Sequence, residues 1–462
     1  MTGNGSAMRQ SRFGRGAAMA RMLLRIGGRY AARSPRLLFA SVQQRDELRH
    51  DLALRSADEV AEELGSMKGV LMKVGQMASY IYEDLPETFR IAMGRLQTNA
   101  PPMSAELASS VILDELGDAP ERVFAEWDPL PFAAASIGQV HRAITKDGRA
   151  VAVKVQYPGI SLSITSDLRN AALLRKIIGA AFPGLDVRSL VDELSERLQE
   201  EVDYVREAAS QEVFAGYFEG HPFIHVPHVV QELSTSRVLT SELVVGAGFE
   251  ELLTWSQRER DLAAETIYRF VFRSLYRLHA FNGDPHPGNY LFHGHGRVTF
   301  LDFGLTKFFT AADLNPLEDA VRYIVLEKDY EAFRAALERA GFLKRGAPVP
   351  TDVVVDRFGQ FYQTVLKDAP MTITPEFASS IVRRFFDAKS PLAAYSDVPR
   401  AYVVMQRINL GLYAVLGSLH ANANWRRLAE EIWPFFQGPP STPIGEAEAR
   451  WEAQKAAAGA PA

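Results

Sequence analysis

The sequence has no cysteine, which excludes disulfide staples and Cys-ligated zinc and allows a reducing compartment. No apolar run reaches the roughly 18 residues that a membrane-spanning helix needs. The nearest stretch, residues 401–419, is crossed by Gln406, Arg407 and Asn409. Arginines interrupt the apolar stretch near the N-terminus, so no secretory signal is expected. Acidic residues are missing from residues 1–45, where Arg9, Arg12, Arg15, Arg21, Arg25, Arg29, Arg33, Arg36 and Arg45 are all basic. Overall the charge balance has no basic excess: the formal net charge is −5, which argues against general nucleic-acid binding. What the chain does have is length and apolar content, 462 residues of which 47% are hydrophobic, enough for a large core and more than one domain.

The most specific chemistry lies in residues 282–304. Asp284 and Asn289 stand in the loop Asn-Gly-Asp-Pro-His-Pro-Gly-Asn, and Asp302 follows the apolar run 298–301, just before Phe303-Gly304. This is the layout of a kinase catalytic loop and metal-binding aspartate. Asp284 would orient or deprotonate a hydroxyl while Asn289 and Asp302 hold Mg²⁺ against nucleotide phosphates. An ordinary Asx/Pro turn would explain the loop alone, but not the loop together with Asp302 and an upstream lysine. His286 reads as a loop-packing residue, and His293 and His295 as solvated turn residues.

The upstream lysine is Lys154, which interrupts the apolar strand Ala150-Val-Ala-Val-Lys-Val155 after a hairpin turn at residues 146–149. A lysine there is either a snorkelling edge residue or a phosphate ligand, and the small-residue hairpin before it favours the ligand. The preceding loop carries Ala133, Ala134, Ala135 and Ser136, where backbone N–H groups would cover phosphates. Alanines allow less backbone freedom than the glycines of protein kinases, so the cover should be stiffer. Lys154 needs a carboxylate partner. Apolar periodicity over residues 191–209 predicts a helix carrying Glu200, Glu201, Asp203 and Glu207, and the helical wheel favours Glu201. A strand over 238–243 leads to a hinge at 244–246, where backbone groups around Glu242 and Val244 would meet the adenine edge.

Ser56 and Glu59 have capping-box spacing ahead of a helix whose opposite face carries Gly65, Gly69, Lys73 and Gln76, as if another backbone approaches closely there. Residues 104–116 read as a helix ending at Gly117. Helices are also expected over 263–281, 313–340, 353–366, 375–388, 398–419 and 424–436, with a mobile tail over 438–462. Arg21, Arg25, Arg29 and Arg33 repeat at helical spacing, so residues 1–45 read as a basic amphipathic helix on an anionic membrane, a solvated tail or a mitochondrial transit peptide.

Several motifs in order resemble the UbiB/AarF family of atypical, protein-kinase-like proteins. They are Lys73-Val-Gly-Gln76, Ala133-Ala-Ala-Ser136, Lys154 with Gln156-Tyr-Pro-Gly159, Glu201-Val-Asp203, the loop from Asp284 to Asn289, and Asp302. The resemblance implies an α+β, protein-kinase-like two-lobed fold with a helical N-terminal extension over the nucleotide site. It divides the chain into a basic arm (1–45), a helical extension (46–130), a nucleotide-binding N-lobe (131–245), a helical C-lobe (246–437) and the tail. It implies that Glu207, rather than Glu201, pairs with Lys154, while Glu201 and Asp203 face the Lys73–Gln76 helix. ATP and Mg²⁺ are the implied cofactors. The implied activity is an ATPase or a small-molecule or lipid kinase supporting isoprenoid-quinone or other lipid metabolism, with a lipid or quinone-precursor ligand. The expected location is cytoplasmic, peripheral on the inner membrane through residues 1–45, or the mitochondrial matrix. Two other readings stay open, a non-catalytic nucleotide-binding scaffold and a soluble small-molecule phosphotransferase. Asn282-Gly283 stands where the family has His-Ala, which predicts looser support of the metal-binding segment, and Ser210 stands where Asn is common.

Overall fold

The computed structural model describes residues 103–135, 137–158, 202–282, 285–385, 392, 394–396 and 400–458. The basic arm, the Lys73–Gln76 helix, Ser136, Glu201 and Asp284 lie outside the described residues. The chain divides into two compact units, one of residues 1–148, 153–203 and 236–238, the other of residues 149–152, 204–235 and 239–462.

In the first unit, α1 (Ala105–Leu116) starts at Ser104, whose hydroxyl accepts from the Leu107 N–H, and stops at Gly117 with φ 82°, the left-handed turn that glycine adopts without strain. After α2 (Pro120–Val123) come β1 (Glu126–Trp127), β2 (Ala133–Ala135), β3 (Gly138–Ile144) and β4 (Ala150–Gln156). Both β1 and β2 pair antiparallel with β3. Gly138 admits no side chain, since a Cβ there would meet the Val155 carbonyl oxygen at 2.3 Å. Buried Gln139 bonds to both backbone groups of Met103 and to His141, which stacks on Trp127 at 4.5 Å.

The second unit opens with α3 (Tyr204–Tyr217), β5 (Ile224–His225) and β6 (Val238–Glu242). The strands β1, β3, β4 and β6 lie in that order in one sheet, with β2 added to β3. The continuous helix expected over 191–209 is not formed. Val202 and Asp203 are non-helical and α3 begins at Tyr204, so a wheel carried through this break misplaces every carboxylate beyond it.

Next come α4 (Phe249–Leu253), α5 (Gln257–Arg277), β7 (Ala280–Asn282), β8 (Tyr290–Phe292), β9 (Val298–Phe300) and β10 (Thr306–Phe308). The helix α5 ends about a turn earlier than its apolar spacing suggests. His279 takes φ 52°, which stops the helix, and residues 280–282 pair with β10 instead. The remaining elements are α6 (Ala311–Val321), α7 (Tyr330–Ala340), α8 (Thr351–Gly359), α9 (Gln363–Leu366), β11 (Met371–Thr372), α10 (Pro375–Phe385), α11 (Arg400–Ser418), β12 (Asn422–Ala423), α12 (Trp425–Ile432) and α13 (Pro443–Ala457). The single helix expected over 313–340 is two. A π-helical turn at Arg322–Glu327 ends at Lys328 with φ 58°, and Asp329 caps α7. One continuous apolar cluster, from Phe214 on α3 to Trp433 after α12, forms the core of this unit.

The expectation of a mobile tail from residue 438 is overturned over most of its length. Helix α13 begins at Thr442, whose hydroxyl accepts from the Gly445 N–H, and it is tied down by charge. Glu448 is 1% exposed. It accepts from Arg269 at 2.7 Å, from Arg273 at 2.8 and 2.7 Å, and meets His221 at 3.1 Å. Arg269 also bonds Glu265 and Glu431, each at 2.8 Å, and Arg273 bonds Glu452. Trp451 is buried and donates to the Glu219 carbonyl at 3.0 Å. Composition suggested mobility because charged, alanine-rich segments usually are mobile; here the charges face buried partners.

Candidate functional site

The loop after β7 is built between two strand pairs. Register Tyr290↔Phe300 continues one step further, as the Leu301 N–H donates to the Asn289 carbonyl at 3.0 Å. Asn289 and Asp302 are thereby held on adjoining backbones. The loop itself is a 3₁₀ turn over Pro287–Asn289, capped by His286, whose Nδ1 accepts from the Gly288 N–H at 2.9 Å. This keeps His286 in the packing role expected of it. His293 is not the solvated residue expected: it is half-buried, its Nε2 lies 2.8 Å from the Thr299 hydroxyl, and burial, Arg297 and His225 lower its pKa. His295 is exposed.

Asp302 is oriented from both sides. Its Oδ1 accepts from the Gly304 N–H at 3.0 Å. Between them, Phe303 is fully buried, with its ring 4.9 Å from Phe214 on α3 and 6.5 Å from Phe270 on α5. Burying that ring fixes the backbone and so the direction of the neighbouring carboxylate. Glu207, in the first turn of α3, is also buried. A Cβ on Gly304 would lie 3.5 Å from both Asp302 Oδ1 and Glu207 Oε2. Two carboxylates converging on one glycine favour a cation nearby.

Asn282 has a role that its sequence context hid. Its side-chain N–H donates to the Asp302 carbonyl at 2.6 Å, while its backbone pairs with Thr306 across β7 and β10. The loosened support expected of this substitution is therefore corrected, because the amide itself braces the Asp302 segment. Gly411 on α11 is a second residue missed. A Cβ there would come within 2.2 Å of the Pro285 ring, so the helix backs directly onto the loop, and only the small residue inside an apolar helix hinted at it.

The other expected site residues are placed as follows. Ala133, Ala134 and Ala135 form β2, an antiparallel partner of β3, so the alanine-rich cover is a strand rather than a loop. Lys154 is half-buried on β4. Two residues on, Gln156 donates to the carbonyls of Val202 at 2.9 Å and Ser236 at 3.2 Å, which fixes the end of β4 to the segment containing exposed Asp203. Glu242 closes β6, is exposed, and its Oε2 lies 3.2 Å from His225 Nε2. Val244 follows in a non-helical, non-strand segment.

Hard oxygen donors suit Mg²⁺, and Asp302 with Asn289 offers a carboxylate and an amide oxygen. Among the described residues, no group of three or more His, Cys, Asp or Glu could hold a metal. The donors fit an ion completed by phosphate oxygens rather than one caged by protein alone.

An Asp-Phe-Gly segment locked by a buried phenylalanine, an Asn-bearing loop beside it, and a buried helix glutamate are the parts of a kinase-like protein. Residues 95–337, more than half of the 462-residue chain, match the ABC1 atypical kinase-like domain, and the chain belongs to that family. It is 36% identical over 257 residues to "Atypical kinase COQ8B, mitochondrial" of Rattus norvegicus, covering 55% of this chain and 48% of that one. It is 30% identical over 283 residues to "Atypical kinase COQ8, mitochondrial" of Saccharomyces cerevisiae, covering 61% and 56%. The chain thus spans about half the length of the curated relatives it matches. Among solved structures it resembles Rv3197 of Mycobacterium tuberculosis in its complex with erythromycin, with a TM-score of 0.61, 31% identity, and coverage of 85% of this chain and all of that one.

Proposed function

We propose that this protein is an ATP- and Mg²⁺-dependent atypical kinase that either hydrolyses nucleotide or phosphorylates a small or lipidic acceptor, in support of isoprenoid-quinone metabolism. The observation that carries the reading is the convergence of Asp302 and Glu207 on Gly304, with Asn289 held on the backbone that adjoins Leu301. In this reading Asp302 and Asn289 hold the metal, which neutralises phosphate charge when bound. Lys154 contacts the α- and β-phosphates, and Asp284 positions the hydroxyl or water. The names of the relatives support the quinone connection, and the complex of the mycobacterial protein with erythromycin supports a small-molecule ligand. No helix among the described residues is long and apolar enough to cross a membrane, and residues 1–45 supply the basic contact for peripheral attachment.

The test is phosphate release from ATP by the full chain, with and without anionic vesicles, for wild type, Asp284→Asn and Asp302→Asn. Release that both variants abolish supports the enzyme. Nucleotide binding without release, lost in Asp302→Asn and retained in Asp284→Asn, rejects turnover in favour of a nucleotide-binding scaffold. Vesicle binding that survives deletion of residues 1–45 rejects the membrane role of the arm.

A further inference from the structure

The core of the second unit holds a partly open cavity of about 160 Å³, close to the roughly 150 Å³ at which an apolar protein cavity takes up benzene. Its walls come from α5 (Tyr268, Phe272), α8 (Phe358), α11 (Asn409, Tyr413) and the end of α12, among others. Three features define what it would accept.

The first is charge. Among the described residues, no acidic or basic side chain lines the cavity. Burial raises the pKa of the phenols of Tyr268, Tyr276, Tyr362 and Tyr413, so these walls stay neutral. A charged occupant would find no counter-ion among them, and the desolvation cost would exclude it. The second is shape and surface: ten of the 22 lining residues are aromatic, an environment that favours an aromatic ring through edge-to-face contacts.

The third is an unmet acceptor. The Thr364 and Tyr413 hydroxyls share a hydrogen bond at 3.1 Å, and the Tyr402 hydroxyl donates to the Asp313 carbonyl. Asn409 Oδ1 is buried and meets no hydrogen-bond partner among the described residues. A buried acceptor without a donor is unfavourable and calls for one.

We infer that this cavity is a binding site for a neutral, one-ring aromatic molecule that donates a single hydrogen bond to Asn409. It shares no lining residue with the Asp302 segment, so the inference stands apart from the proposed nucleotide chemistry. Its neighbour is nonetheless the catalytic loop, because α11 presents Asn409, Leu410 and Tyr413 to the cavity and packs Gly411 on Pro285.

The experiment uses three probes on the full chain without nucleotide: phenol, toluene and benzoate, measured by calorimetry and by ligand-observed NMR. Phenol should bind about tenfold tighter than toluene, because a site built for a donor rejects the analogue that lacks it. Benzoate should not bind. Asn409→Leu should cost phenol its advantage while toluene affinity is kept. Ala429→Phe, which sets a ring into the cavity, should abolish binding of both probes, with an intact thermal transition confirming its fold. Equal affinity for phenol and toluene, unchanged phenol binding in Asn409→Leu, or failure of both neutral probes to bind overturns the proposal.

Discussion

Glu448→Gln separates two accounts of the C-terminal helix: a charged appendix resting on the surface, or a structural member of the fold. In the structure the Glu448 carboxylate is 1% exposed and takes charged hydrogen bonds from two arginines, themselves 0% and 2% exposed. Burial alone would raise its pKa, yet Arg273, the hydrogen bond from His221 and Arg269 together hold it far below the usual carboxylate range. Replacing it with Gln keeps the shape and removes the charge that both guanidiniums share. Arg269 then retains Glu265 and Glu431, but Arg273 retains only the half-exposed Glu452 among its carboxylates. Removing one partner of a buried ion pair costs about 3–5 kcal/mol, because the remaining charge is left uncompensated. The same change at Glu452, 36% exposed, should cost under about 1 kcal/mol. Urea unfolding at neutral pH followed through Trp451 fluorescence checks both. The Glu448→Gln midpoint should fall steeply, with an early red shift as α13 detaches, and Glu452→Gln should track wild type. Equal, small losses for the two variants would refute the claim that burial makes the network matter.

Further outcomes follow from the same geometry. Burial lowers the His221 pKa from its ordinary 6.5, so it is neutral in the fold. Its contribution is complete above 6.5 and is lost as pH falls through the folded value, because the unfolded state binds the proton first; His221→Gln should flatten stability against pH below 6.5 in equilibrium unfolding. Phe303→Ala removes a fully buried ring and should cost about 3–5 kcal/mol. It should also weaken Mg-nucleotide affinity, measured by titration, as Asp302 loses its fixed backbone. Asn282→Leu leaves the Asp302 carbonyl without its 2.6 Å donor and should cost about 1–3 kcal/mol; Asn282→His is the informative comparison, because an imidazole N–H can replace the bond. Gly411→Ala would place a methyl within 2.2 Å of Pro285, an overpacking of about 1–3 kcal/mol, and should lower phosphate release more than it lowers the unfolding midpoint.

The fold class was legible in the sequence, and the details of its helices were not. Asp302, Asn289 and Lys154 stand out as candidates because phosphate and metal chemistry demands particular atoms in order, whatever lies between them. The choice between Glu201 and Glu207 was not legible from periodicity, since a wheel assumes an unbroken helix and the break at Val202-Asp203 falls inside the window. The split at Lys328 was hidden for a different reason. A lysine in the left-handed region leaves no compositional trace, whereas Gly117 announced the end of α1. Asn282 looked like a defect because its neighbours along the chain do not contain its partner, a carbonyl twenty residues away. Helix α13 was misread because its anchors, Arg269 and Arg273, stand more than 170 residues upstream, beyond any local pattern.

Those two arginines explain why α5 can serve the site. Its buried neighbour Phe270 stacks at 3.6 Å and 13° on Phe300, the last residue of β9 and two before Asp302. Its last turn leads through His279 into β7 and the loop that carries Asn289. A helix with two buried guanidiniums would be unstable in an apolar core, so the carboxylates of Glu265, Glu431, Glu448 and Glu452 are a condition for its position rather than an ornament of the tail. The aromatic stack needs no charge and the ionic cluster needs no stack. The site thus rests on two kinds of interaction that respond differently to their surroundings. Acid acts on the Arg269–Glu448 side, while the Phe270–Phe300 side follows the temperature dependence of apolar burial. Acid should therefore free α13 from α5 while the Phe270–Phe300 stack persists.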